Sequence, residues 1–322
     1  MRLRRSDVSA PGLTRVRSGR GYRYVDEHGA TVRDKELRAR ITRLAIPPAW
    51  RDVWICPLAA GHIQATGLDD AGRLQYLYHE DWSARRSRVK FLRARRLAVS
   101  LPSARASVTR DLRLPTASRE RALAVAFRLL DVAAPRLGGL RYLSTNGSHG
   151  LSTLECCHVR LEDGTVHLRF PAKSGREWTS QTLDPELARA LEPLLRGPHD
   201  RLLAWREDDE WHPVSAQDIN DDIRSRTHGD FTAKDFRTLH GTVAAALSLA
   251  RSGPQPSVAA RRRAVKQAAA DAAAELSNTP ATALKAYIDP LVIDAFAQGR
   301  TLDLSTGARP EHALSALLGP PD

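Results

Sequence analysis

Cysteine is scarce. The 322 residues hold three, Cys56, Cys156 and Cys157, and the last two are neighbours. No disulfide framework can rest on that, and no CxxC or Cys/His spacing for a structural zinc occurs, so a reduced, cytosolic setting is expected. Long apolar runs are missing too; nothing approaches the roughly 18 uninterrupted apolar residues of a membrane span. The charged start MRLRRSDVSAPG has no apolar stretch behind it, so no secretory signal is expected. There is no P-loop and no carboxylate cluster spaced for Mg²⁺, and neither a cofactor nor a metal is expected. Internal repeats are absent. What is present is a 42% apolar content, enough for roughly two domains with cores and too much for a disordered chain.

The charge is one-sided: 49 Lys+Arg against 37 Asp+Glu give +12, with a pI near 10.2. Such a surface wants a polyanion, and nucleic acid is the commonest candidate. Only six of the cations are Lys; 43 are Arg. Arg grips phosphate bidentately and keeps its proton, although a GC-rich genome would explain the same bias.

The pattern along the chain predicts an α+β protein. Residues 1–20, basic and aperiodic, read as a flexible arm. Residues 21–84 read as a small β-rich domain. GYRYVDEHGATVRD suggests two short strands around an EHG turn, and DKELRARITRLA a helix capped by Asp34. IPPAW must be extended. DVWICP, HIQATGL and RLQYLYH read as strands, the last two joined by the turn DDAG. Alternation in RLQYLYH puts Leu74, Tyr76 and Tyr78 on one face and Gln75 and Leu77 on the other. A basic helical pattern begins at Glu80, with a linker expected near residues 82–88. Residues 85–322 then form a larger, mainly helical domain. SRERALAVAFRLLDVAA carries the apolar stripe Leu123, Phe127, Leu130 and Ala134. HVRLEDGTVHLRF and REWTSQTL predict a three-stranded sheet with EDGT and PAKSG turns. Beyond Asp184 the pattern is helical apart from RLLAW, and the tail after Thr301 is expected to fray.

Two segments stand out chemically. RLGGLRYLSTNGSHGLSTL holds Arg136, Gly138, Arg141 and Tyr142; LSNTPATALKAYID puts Tyr287 nine residues after Asn278. Between them lie Lys173 in PAKSG, and Lys234 and Arg237 in KDFRT. In these motifs, and in IPPAW, VWICP, GHIQATG and QYLYH, the chain resembles the type IB DNA topoisomerases, specifically their poxvirus-like and bacterial branch. The resemblance runs from about Gly21 to about Ala297. It implies a tyrosine recombinase-like catalytic domain and a monomer whose two domains clamp duplex DNA, in the cytoplasm at the nucleoid. By resemblance, Tyr287 attacks a phosphodiester, forming a 3′-phosphotyrosyl link and expelling a 5′-hydroxyl. Arg136 and Arg237 clamp the non-bridging oxygens, and Lys173 is the general acid. Asn278 stands where poxvirus members carry a His. Gln75, Tyr76 and Tyr78 contact DNA from the major groove; Arg141, Tyr142 and Lys234 are further DNA contacts.

Physical chemistry supports this cast. A phosphodiester is anionic, so its charge must be neutralised as the pentacoordinate transition state forms, and each preorganised donor lost costs about 3–4 kcal/mol of barrier. Two Arg forks and an amide make such a cage. The 5′-alkoxide needs a proton, which a Lys beside two guanidiniums gives up readily. Asn cannot exchange a proton at neutral pH, so an acid or base role at position 278 is disfavoured and hydrogen bonding in the transition state remains. The phosphotyrosyl ester conserves the energy of the cleaved bond, so no ATP is needed.

Each residue also has a plainer reading. Tyr287 could pack on a late helix, Lys173 could be solvated in a polar turn, and Lys234 and Arg237 could line an exposed helix face. Arg136, following a proline, could serve helix-end carbonyls. Asn278-Thr279-Pro280 is an ordinary helix start, with Thr279 as the cap. His28, His62, His79, His149 and His158 show no metal spacing, and Arg261–Arg263 reads as a solvated or phosphate-facing patch. A tyrosine recombinase is the nearest rival function. Recombinases usually carry His-x-x-Arg at the second arginine, where this chain has Lys234-Asp235-Phe236-Arg237, and they place a helical module in front. A catalytically inactive DNA-binding protein is the other alternative.

Overall fold

The computed structural model describes residues 2–305 and 307–320. The chain divides into two compact units, Met1–Val89 and Lys90–Asp322.

In the first unit, β1 (Leu13–Ser18), β2 (Gly21–Val25), β3 (Arg51–Ile55), β4 (Ile63–Leu68) and β5 (Leu74–Tyr78) form one antiparallel sheet in the order β2-β1-β3-β4-β5. Helix α1 (Lys35–Arg43) starts at Asp34, whose carboxylate accepts from the Leu37 N–H at 2.7 Å. Ile41 of α1 joins Leu13, Val53, Ile55 and Ala65 in the core. The expected arm is therefore corrected: its second half is strand β1. Arg15 hid this, because its half-buried guanidinium donates to the Pro47 carbonyl at 3.0 Å and to that of Trp50. The second strand expected after EHG shrinks to one bridge, Val25–Thr31. Residues 82–88, expected as a linker, are helical: α2 (Glu80–Leu112) runs without a break through them.

The second unit is built on α3 (Arg119–Ala133). The expected stripe is buried, but so are Ala122, Ala124, Val125, Ala126 and Leu129. Helix α3 is thus central rather than a surface amphipath. Around it lie α4 (Leu140–Asn146), the antiparallel sheet β6 (Val159–Glu162), β7 (Thr165–Pro171) and β8 (Glu177–Leu183), and α5 (Pro185–Leu195). Then come a hairpin of β9 (Ala204–Glu207) and β10 (Glu210–Pro213), followed by α6 (Ala216–Thr227) and α7 (Ala233–Ser252). Helices α8 (Val258–Leu276), α9 (Pro280–Ala286), α10 (Pro290–Ala297) and α11 (Pro310–Leu318) complete the unit.

Two expectations fail here. RLLAW gains a partner strand, EWHP, because Asp208 and Asp209 both take positive φ (47° and 64°), the geometry of a tight hairpin turn. Among its described residues the tail does not fray: α11 buries Leu314 and pairs Glu311 with Arg105, which also holds Asp131 at 2.8 Å. Thr306, Pro321 and Asp322 of that tail lie outside the described residues. Phe127 of α3 meets Phe236 of α7 edge-on at 5.3 Å, tying the central helix to the helix that bears Arg237. No helix among the described residues is long and apolar enough to cross a membrane.

Candidate active site

Helix α7 is fixed at its start. The Asp235 carboxylate accepts from the Thr232 N–H and hydroxyl at 2.9 and 3.0 Å, and Arg93 of α2 adds an ion pair to it at 3.1 Å. One turn later Arg237 is 4% exposed. Its two terminal nitrogens donate to carbonyls at the ends of two other helices, Ala134 at 2.6 Å and Leu276 at 2.8 Å. Its Nε is buried and unpartnered among the described residues. Burial, and then the charge of Arg136, push this guanidinium below its ordinary pKa. The helix-end role considered for Arg136 thus belongs to Arg237.

Arg136 follows Ala134, the left-handed cap of α3, and Pro135, in a segment that is neither helix nor strand. Its carbonyl and that of Leu137 accept from the Leu151 and Ser152 N–H groups, both at 2.8 Å. This pairing needs glycine: a Cβ at Gly150 would lie 2.5 Å from the Gly138 Cα and 2.6 Å from the Arg136 oxygen. The guanidinium donates to Asn278 Oδ1 at 2.6 Å. Burial lowers its pKa first, Arg176 lowers it further, and Tyr287 opposes the shift. Among the described residues neither Arg136 nor Arg237 has a carboxylate partner, although 18 Arg–carboxylate ion pairs occur elsewhere. Two partly desolvated cations left unpaired are suited to an anion from outside the chain.

Asn278 sits just before the α9 cap, Thr279, whose hydroxyl accepts from the Thr282 N–H at 3.2 Å. Because Arg136 takes its carbonyl, the amide is oriented and its Nδ2 is left buried without a partner among the described residues. Tyr287 ends α9, its ring centroid 5.3 Å from the Arg237 guanidinium carbon. The fold therefore brings Arg136, Arg237, Asn278 and Tyr287 together.

Lys173 is exposed on the single 3-10 turn between β7 and β8 and makes no hydrogen bond or ion pair among the described residues. Its turn is joined to the cluster by Arg176, which donates to the Asn278 carbonyl at 3.4 Å. Lys234 is exposed one turn before Arg237. Arg141 and Tyr142 stand exposed on α4, which buries none of its residues. On β5, Tyr76 and Tyr78 stack on the outer face with centroids 6.0 Å apart. Gln75 faces the other way and donates to Asp69 Oδ2 at 2.9 Å, so it does not share their surface.

Sequence reasoning missed two cations. Arg176 has no signal beyond its closeness to Lys173. Lys90, on α2, donates to the Ala286 carbonyl at 2.8 Å, directly before Tyr287. Burial and then Lys234 push its ammonium down to about 8, with Asp289 opposing. It is the one lysine among the arginines of α2, but that difference does not say which carbonyl it meets.

The fold also gathers His149, Glu155 and His158, with possible ligand atoms within 4.8 Å of one another. The Glu155 N–H donates to His158 Nδ1 at 3.0 Å, so a neutral His158 carries its proton on Nε2. His149 Nδ1 lies 2.7 Å from the Thr153 carbonyl. Only His149 Nε2 and the Glu155 carboxylate then offer lone pairs, one donor too few for a metal centre.

Residues 21–69 match the family described as bacterial DNA topoisomerase IB, N-terminal domain, and residues 79–291 match the catalytic core described for eukaryotic DNA topoisomerase I. The DNA topoisomerase 1B of Acanthamoeba polyphaga mimivirus is 28% identical over 286 residues, covering 86% of this chain and 85% of that protein.

Proposed function

The chain belongs to the type IB DNA topoisomerases, and from that premise we propose that it relaxes positive and negative supercoils through a transient 3′-phosphotyrosyl nick, without ATP or metal. The observation that carries the reading is the pair of guanidiniums, Arg136 and Arg237, that lack carboxylate partners and converge on Asn278 and Tyr287.

The Tyr287 phenolic oxygen attacks phosphorus, the bond to the 5′-oxygen breaks, and Lys173 supplies the proton which that oxygen takes up. The phenol's own proton leaves to solvent. Arg136, the Nε of Arg237 and the Nδ2 of Asn278, the last two without a hydrogen-bond partner among the described residues, donate to the non-bridging oxygens, whose charge grows in the transition state. Lys173 is exposed on its turn, open to a bound duplex. Rotation of the free end about the intact strand removes superhelical turns. The 5′-hydroxyl then attacks the same phosphorus and releases Tyr287. Tyr76, Tyr78, Arg141, Tyr142 and Lys234 hold the duplex by phosphate and groove contacts. We assign the enzyme to the nucleoid, acting as a monomer that clasps the duplex.

Incubation with negatively and with positively supercoiled plasmid, in EDTA and without ATP, tests this. Relaxation of both signs is expected. Relaxation of neither, with DNA still bound, would replace the reading by a site-dependent recombinase or an inactive binder.

A further inference from the structure

Tyr287 lies at a junction where helix geometry stops. Helix α9 ends at Ala286, α10 begins at Pro290, and Tyr287 itself has φ −132° and ψ −9°. Such a break strands backbone groups, because the Tyr287 carbonyl and the Asp289 N–H lose the partners a continuing helix would supply. One side chain meets both. The Thr242 hydroxyl donates to the Tyr287 carbonyl at 2.9 Å and accepts from the Asp289 N–H at 3.1 Å. Thr242 is 2% exposed, so water does not compete for either bond.

Its neighbour Gly241 explains how α7 comes so near. A Cβ at position 241 would sit 2.7 Å from the Tyr287 Cβ and 3.0 Å from its carbonyl oxygen. Arg237, Gly241 and Thr242 stand at i, i+4 and i+5 on α7, on the face that meets Tyr287. The helix that supplies the second arginine therefore also fixes the main chain of the tyrosine.

We infer that Thr242 is a positioning residue for the nucleophile: its hydroxyl locks the backbone at Tyr287, and so the reach of the phenolic oxygen toward phosphorus. This rests on the proposed role of Tyr287. Thr242 touches neither DNA nor the reacting atoms; it acts through the tyrosine's carbonyl. Nucleophilic attack is sensitive to such placement, and about 1 Å of displacement costs about 100-fold in rate.

Two substitutions separate hydrogen bonding from packing. Thr242→Val keeps the shape and removes both bonds; Thr242→Ser keeps the hydroxyl and removes a methyl. Single-turnover cleavage of a short duplex, non-covalent affinity for the same duplex, and melting temperature are read for each. Thr242→Val is expected to cleave about 10- to 100-fold more slowly with unchanged affinity. Thr242→Ser is expected to cleave within about 3-fold of the wild type. The opposite order, Val normal and Ser slow, would make Thr242 a packing residue and overturn the inference, as would equal rates in both. If Thr242→Val fails to fold, Thr242→Ser still decides, because packing predicts a slow variant there. Gly241→Ala is a second arm, expected to slow cleavage without loss of DNA affinity; a normal rate there contradicts the close-approach argument. A wild-type enzyme that forms no covalent adduct at all would instead strike at the reading of Tyr287.

Discussion

Replacing Asn278 probes the cage at the position where acid–base chemistry is ruled out. Arg136 donates to Oδ1 at 2.6 Å, which leaves Nδ2 as the only amide group able to meet a substrate oxygen. Asn278→Ala removes that donor and frees Arg136. Loss of one preorganised donor to a developing oxyanion costs about 3–4 kcal/mol, or about 100- to 1,000-fold in rate. Asn278→Asp keeps the shape but replaces the donor by an acceptor, binds Arg136 as an ion pair, and places a negative charge toward the phosphate. It should therefore be slower than Asn278→Ala, although it is the more conservative change. The assay is single-turnover cleavage of a short duplex at saturating enzyme, with affinity for uncleaved DNA measured separately. Because an amide does not titrate, the pH profile of the Ala variant should keep the wild-type shape. An Asp variant as fast as the Ala variant, or an Ala variant within about 3-fold of the wild type, would refute the orientation argument.

Arg237→Lys should damage folding as well as chemistry, because a lysine cannot reach two helix-end carbonyls; a loss of about 1–3 kcal/mol per buried unsatisfied carbonyl is expected in denaturant unfolding. Lys90 gives a pH signature. Its folded pKa of about 8 lies below the ordinary 10.5, so the unfolded chain binds the extra proton between these values, and its contribution to stability rises with pH across that window and is lost as pH falls through 8. Lys90→Met should flatten that rise when unfolding is followed at pH 7.5 and 9.5. On β5, Tyr76→Ala and Tyr78→Ala should weaken DNA affinity with the cleavage step little changed. Gln75→Ala, whose amide is turned to Asp69, should affect DNA affinity least of the three.

Much of the fold was legible because its signals are local. The Asp34 cap, the alternation in RLQYLYH, and the EDGT turn each specify their element within a few residues. The misses have physical causes. In β1 Arg15 mimics a polar arm until its carbonyl partners, over 30 positions away, are known. The β9–β10 hairpin hides in a charged DD turn, and α11 depends on Arg105, 206 positions from Glu311. The candidate site divides likewise. Arg136, Arg237, Asn278 and Tyr287 were named from motifs and the fold gathers them; their roles are proposals. Arg176, Lys90 and Thr242 act through backbone carbonyls of distant segments, and no sequence pattern records which carbonyl a side chain will meet.

The central claim is that Tyr287 is the nucleophile. Trapping the reaction on nicked or supercoiled DNA with detergent, digesting the adduct, and sequencing the modified peptide tests it most directly. The account predicts a nucleotide joined through its 3′-phosphate to Tyr287, with Tyr287→Phe binding DNA but giving no adduct. A 5′ linkage, an adduct on another residue, or unchanged relaxation by Tyr287→Phe would contradict it.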